Sequence, residues 1–196
     1  MVVVACNSAA TVISKVKNIP YHPNQVIEVI SPIVKLIAEQ VKFKNIGIIG
    51  TRKTIGSGMF NKSLEERKPS LEIVAKATPL LVPLIEEGFI EKELLFPVFK
   101  RYFKDFANCE LIIPACTHYP IIYKQIEAFF DNGLKVLHTP KIIAETVEAY
   151  LQSNSLLNKT SVLQDEYHLS DITSEFLREA TLFLGEEVRF QKTLLN

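Results

Sequence analysis

The sequence predicts an α/β protein with mostly parallel sheet, arranged as two lobes that face each other. Two observations carry this. Apolar, strand-like runs alternate with amphipathic helical patterns along the chain, as crossover-linked parallel strands require. One strand–turn–helix unit also occurs twice. Val2-Val3-Val4-Ala5-Cys6-Asn7-Ser8 and Leu111-Ile112-Ile113-Pro114-Ala115-Cys116-Thr117-His118 both read as a buried strand, then Ala-Cys, then polar side chains opening a helix.

In order, the unbroken apolar run Val2 to Cys6 predicts a strand covered on both faces. Ser8 is the expected N-cap of a short helix reaching about Lys17. The turn-rich Asn18 to Asn24 follows, then a β-branched strand at Val26 to Ile30. Ser31-Pro32 starts a helix whose apolar face is Ile33, Leu36, Ile37 and Val41. Ile46 to Gly50 is a strand with Thr51 and Thr54 at its end, and a helix is expected from Ile55 to Arg67. Leu71 to Ala75 reads as a strand, and Leu80 to Glu87 as a short helix stopped by Gly88. Glu91 to Phe106 has the sharpest helical period, with Pro97 expected to kink it or mark a late start. After the strand at Leu111 to Pro114, a helix beyond Pro120 turns Ile122, Ile126, Phe129 and Phe130 inward. A strand at Leu134 to Leu137, a helix at Lys141 to Leu151 and a polar loop at Gln152 to Thr160 come next. The chain closes with a strand at Val162 to Tyr167, a helix at Ile172 to Leu184 and an edge strand at Val188 to Phe190.

Composition narrows the function classes. The 196 residues fit one domain or two small ones, and 47% hydrophobic content supports a packed core. Twenty-two acidic residues balance twenty-two Lys plus Arg without a block of like charge, which argues against a nucleic-acid or anionic-membrane partner. No apolar run approaches the ~20 residues that span a bilayer. Met1 leads straight into strand pattern, without the basic and apolar regions of a secretory leader. Cys6, Cys109 and Cys116 are odd in number and widely spread, which points to reduced thiols and a cytoplasmic setting. Cys109, which merely precedes a strand, reads as a small buried hydrophobe.

A thiol works as base or nucleophile only when partly ionised, and a helix start lowers its pKa. Cys6 and Cys116 both precede a predicted helix. Asn7 and Ser8 beside one, Thr117 and His118 beside the other, are able to bind an anionic ligand. Two thiols on facing lobes suit removal of a proton from one face of a carbon and its return to the other, with no metal or organic cofactor. Each cysteine taken alone reads more readily as core than as catalyst. Cys116-Thr117-His118 supplies at most part of a metal site, and no second cluster completes one. Gly50-Thr51-Arg52-Lys53-Thr54-Ile55-Gly56 lacks either phosphate-loop pattern. His22 and His138 read as structural, and Glu86 and Glu87 as a solvated helix end.

Four segments carry a family resemblance. Cys6-Asn7-Ser8-Ala9 resembles the CNTA motif of glutamate racemases, and Ala115 to Pro120 their GCTHYP motif. Gly50 to Thr54 is similar to their GTxxT segment, and Leu81 to Glu86 to their LVPLVE segment. The resemblance implies a cofactor-independent racemase of the aspartate/glutamate superfamily that supplies D-glutamate for peptidoglycan. It implies two pseudo-symmetric three-layer α/β lobes, residues 31–139 forming the second and residues 1–30 with 140–196 the first. Cys6 and Cys116 would transfer protons, with Cys6 acting on D-glutamate and Cys116 on L-glutamate. Asn7, Ser8, Thr51, Thr54, Thr117 and His118 would bind substrate or line the site. Metal and nucleic acid have no place in this picture, and a homodimer stays open.

Ser8 replaces the usual Thr and Ala115 the usual Gly. The family's DSG and PYG motifs have no counterpart before Cys6. At ~30 residues per βαβ unit, about two units are missing from the first lobe. The expectation is therefore an incomplete first lobe, an exposed apolar edge near Cys6, and impaired activity. Aspartate as substrate, or a non-catalytic interaction module, stays open beside this.

Overall fold

The computed structural model describes residues 1–13, 16, 21–22, 25–40, 42–131, 133–158 and 165–194. Strand β1 (Val2–Val4) leads into α1 (Asn7–Ile13), and β2 (Val26–Glu28) into α2 (Ser31–Gln40). Next come β3 (Asn45–Gly50), α3 (Arg52–Gly56), α4 (Met59–Arg67), β4 (Glu72–Ala77), α5 (Leu81–Glu86) and α6 (Lys92–Tyr102). Strand β5 (Leu111–Ala115) passes through a 3₁₀ turn at Tyr119–Ile122 into α7 (Tyr123–Phe129). β6 (Lys135–Val136), α8 (Thr139–Ser153), β7 (Tyr167–Leu169), α9 (Ser174–Leu184) and β8 (Phe190–Lys192) complete the order.

The centre is a four-stranded sheet in the order β4-β3-β5-β6, and every described strand pair in the molecule is parallel. Strands β1–β2 and β7–β8 form two further pairs. The central sheet is covered on both faces, as its apolar runs require. Ile46 and Ile48 of β3, with Leu111, Ile113 and Ala115 of β5, pack against Ile33, Val34 and Ile37 of α2 and Phe60 and Leu64 of α4. Ile49 and Ile112 point to the other face, into Leu81, Ile85, Leu95, Phe99, Ile122 and Ile126. Gly47 shares that face, where a Cβ would collide with the Phe106 ring, so glycine is what lets Phe106 lie flat on the sheet. Pro114 is tolerated in this inner strand because β6 pairs only with Leu111 and Ile112, leaving no ladder bond for Pro114 to lose on that side.

Several expectations change. β1 is shorter than Val2 to Cys6 and is not covered on both faces: Val3 is 36% exposed, and among the described residues β2 is the strand that pairs with β1. Ser8 is not an N-cap. Asn7 is already helical, and the Ser8 hydroxyl turns across to the end of β3. The helix expected over Ile55 to Arg67 starts earlier, because Thr51 caps it, and breaks in two at Gly58, whose φ of +64° no straight helix holds. α6 stops at Tyr102, short of Phe106. Phe103 and Phe106 instead turn inward onto the aromatic cluster of Phe99, Phe129 and Phe130. Pro97 lies inside α6 rather than at its start. The expected continuation of α1 to Lys17, Val41 on α2 and the strand start at Val162 lie outside the described residues.

Candidate active site

The sheet order places a topological switch beside β3. The chain goes from β3 to β4 on one side, then returns to β5 on the other. Crossovers that part in opposite directions leave a crevice at the C-terminal ends of β3 and β5, where open α/β sheets hold ligands. Thr51 and Thr54 follow β3 there, and Cys116, Thr117 and His118 follow β5.

The β1–α1 corner closes the crevice from outside the sheet. Cys6 immediately precedes α1, and its carbonyl accepts the Ala10 N–H at 2.8 Å. Ser8, on the first turn of α1, bonds across to both threonines: Oγ to Thr51 Oγ1 at 2.8 Å and to Thr54 Oγ1 at 3.2 Å. Thr51 Oγ1 also accepts the Thr54 N–H at 3.1 Å, the N-cap bond that starts α3. Three hydroxyls from two loops thus converge, and each can donate or accept as a ligand demands. Asn7 is buried, and its Oδ1 has no partner among the described residues. Such an acceptor awaits a donor, since leaving it bare is costly.

On the β5 side, Cys116 is buried while Cys6 is exposed. The Cys116 Sγ lies 3.8 Å from His118 Nδ1. His118 Nε2 is 3.0 Å from Glu86 Oε1, at the end of α5. The turn carrying these residues is pinned from below. Tyr119 Oη meets Thr78 Oγ1 at 2.6 Å, and the Thr78 N–H donates to Gly50 O at 2.9 Å. The ends of β3, β4 and β5 are therefore tied into one unit.

A cavity of about 120 Å³ lies at this junction, lined by Cys6, Asn7, Ser8, Thr51, Thr54, Val82, Ala115, Cys116, Thr117 and His118. All eight residues singled out in the sequence meet around it. An apolar cavity of about 400 Å³ adjoins it, sharing Asn7, Cys116 and Thr117 as walls.

Burial pushes the Cys116 thiol up from its ordinary pKa. The N–H of His118 opposes this, nearby Cys6 and Glu86 add to it, and the N–H of Thr117 opposes it weakly. The expectation that a helix start would depress this thiol is thus overturned: desolvation outweighs the free N–H groups. Glu86, read in the sequence as solvated, is instead the partner of His118. The resemblance of the segment ending in Glu86 to a family motif was the one sign that it mattered. Val82 lies in the same segment, and Thr78 carried no sign at all.

No family model matches the chain. The glutamate racemase of Aquifex aeolicus is 36% identical over 193 residues, covering 96% of this chain and 70% of that protein. The glutamate racemase of Chlorobaculum parvum is 32% identical over 191 residues, with the same two coverages. Among solved structures, the glutamate racemase of Francisella tularensis in complex with D-glutamate superposes with a TM-score of 0.85 at 27% identity, covering 99% of this chain and 72% of that one. Identity at this level over nearly the whole chain, joined to a matching fold, shows that this chain belongs to the glutamate racemase family.

Proposed function

We propose that the chain interconverts L- and D-glutamate without a cofactor, using Cys6 and Cys116 as a pair of proton-transfer residues. One observation carries the reading: two thiols from different strands line a single cavity. In one direction Cys116, as thiolate, takes the α-proton and becomes a thiol, while the Cys6 thiol gives its proton to the opposite face of the carbon. The reverse direction exchanges the roles, and solvent resets both thiols between turnovers. The Asn7 Oδ1, without a partner among the described residues, suits the substrate ammonium, and the hydroxyls of Ser8, Thr51, Thr54 and Thr117 suit its carboxylates. These donors offset the charge that develops as the α-proton leaves. His118, held by Glu86, orients beside Cys116 and passes protons to and from it.

The two halves are unequal. Cys116 is buried and braced, whereas Cys6 follows a half-covered strand and is exposed. Turnover in this chain is accordingly slow and limited by the Cys6 half. The product would serve peptidoglycan synthesis in the cytoplasm, a setting that suits reduced thiols. Among the described residues no helix is long and apolar enough to cross a membrane.

Racemisation followed by optical rotation, from each enantiomer, tests this. Cys6→Ala and Cys116→Ala should each abolish net interconversion. Full activity with either cysteine removed would sink the reading. Covalent trapping of substrate on Cys116 with Cys6 dispensable would indicate a thiol hydrolase instead.

A further inference from the structure

Phe183 lies on the last turn of α9, far in sequence from every motif described above. Its ring meets the His118 imidazole edge to face, with centroids 5.6 Å apart and planes at 89°. It is 41% exposed, so it adds little to the core. α9 is anchored without it: Thr173 caps the helix, Phe176 packs on Phe190 at 5.3 Å, and Ala180 is buried. The contact Phe183 does make is to a residue of the candidate site. The polar contacts described for the His118 side chain run through its ring nitrogens, Nε2 to Glu86 and Nδ1 to Cys116. They leave the imidazole free to tilt out of its plane, and an aromatic ring packed at right angles opposes that tilt.

We propose that Phe183 is a positioning residue: by packing on His118 it holds the imidazole between Glu86 and Cys116 and keeps water from that side. This rests on the racemase reading given above. It assigns a part in the reaction to α9, an element that supplies no residue to the cavity among the described residues. Phe183 acts through His118.

Phe183→Ala and Phe183→Tyr, made in the full chain, test it with two readouts. Proton NMR of the histidine rings is independent of turnover. Phe183→Ala should weaken the nuclear Overhauser contacts of the His118 ring protons with the Cys116 and Glu86 side chains and leave the His138 and His168 resonances in place, while Phe183→Tyr keeps those contacts. In steady-state kinetics Phe183→Ala should lower kcat about tenfold with KM little changed, a fraction of the ~10²-fold that misplacement of reacting groups costs. Phe183→Tyr should restore kcat, and both variants should melt with the parent. Unchanged Overhauser contacts of His118 in Phe183→Ala, an unchanged kcat in that variant, or a loss equal in both variants would overturn the proposal. If the parent chain shows no racemisation, the functional reading fails by itself, and the NMR comparison still decides whether Phe183 holds His118.

Discussion

Cys116 keeps its proton at neutral pH because burial disfavours the thiolate more than the N–H groups of His118 and Thr117 favour it. As an acid it is ready. As a base it acts only in its small ionised fraction, so the rate of L-glutamate deprotonation should keep rising with pH past about 8.5, where an ordinary thiol is half ionised. A rate that levels off well below that pH would contradict a raised thiol. Glu86 adds to the shift by like charge, so Glu86→Gln should move the alkylation of Cys116 by iodoacetamide to lower pH. The same variant loses the His118 pair and should lower kcat about tenfold, equivalent to ~1.4 kcal/mol. That is the low end for a charge-assisted hydrogen bond, as expected for partners that are both part-exposed. At this scale the sequence was informative where reactive residues stand next to each other. Cys6-Asn7-Ser8 and Cys116-Thr117-His118 announce themselves locally. Glu86 and Phe183 do not, because each reaches the site only through the packing of a separate helix.

Thr51 shows how one side chain serves both an element and the site. As N-cap of α3 it accepts the Thr54 N–H, and it also meets Ser8. Thr51→Ala should cost about 1 kcal/mol of stability through the lost cap, read as a lower urea midpoint. Thr51→Ser should recover most of it. Glu110, just before β5, accepts the N–H groups of Lys44 and Asn45 at 2.8 and 3.2 Å and so ties β5 to the start of β3. Those N–H groups hold its carboxyl below the usual carboxylate range. A lowered folded pKa means that the strap contributes fully above the unfolded value of about 4.3 and is lost as pH falls through the folded one. Glu110→Gln should therefore unfold at lower urea than the parent at pH 7, and the gap should close as the pH is lowered. A gap independent of pH would contradict the role given to the charge. Strands buried on both faces, such as β3 and β5, were legible from their apolar runs. The break between α3 and α4 was not, because the helical period runs on through Ser57 and Gly58 and only the left-handed Gly58 reveals it.

Across the molecule, the four-stranded sheet is the rigid body on which the site is built, and Gly47 is its tightest point. Gly47→Ala would drive a methyl into Phe106 beneath the aromatic cluster and should cost about 1–3 kcal/mol, visible as a lower melting temperature. Alternating strands and helices made the parallel α/β class readable from sequence, and the matched cysteine units made their meeting foreseeable. The exposure of β1 was not readable from its own residues. Three consecutive valines look like an inner strand, and only the tertiary neighbours decide how many of their faces are covered. Two thiols working from opposite faces of one carbon are the centre of the proposed mechanism. Racemisation of L-glutamate in D₂O, stopped early and analysed by mass for each enantiomer, tests that most directly. The D-glutamate formed should carry one solvent deuterium at Cα while the remaining L-glutamate stays unlabelled. Protium carried into the product, or label appearing equally in both enantiomers from the start, would point to a single base and contradict it.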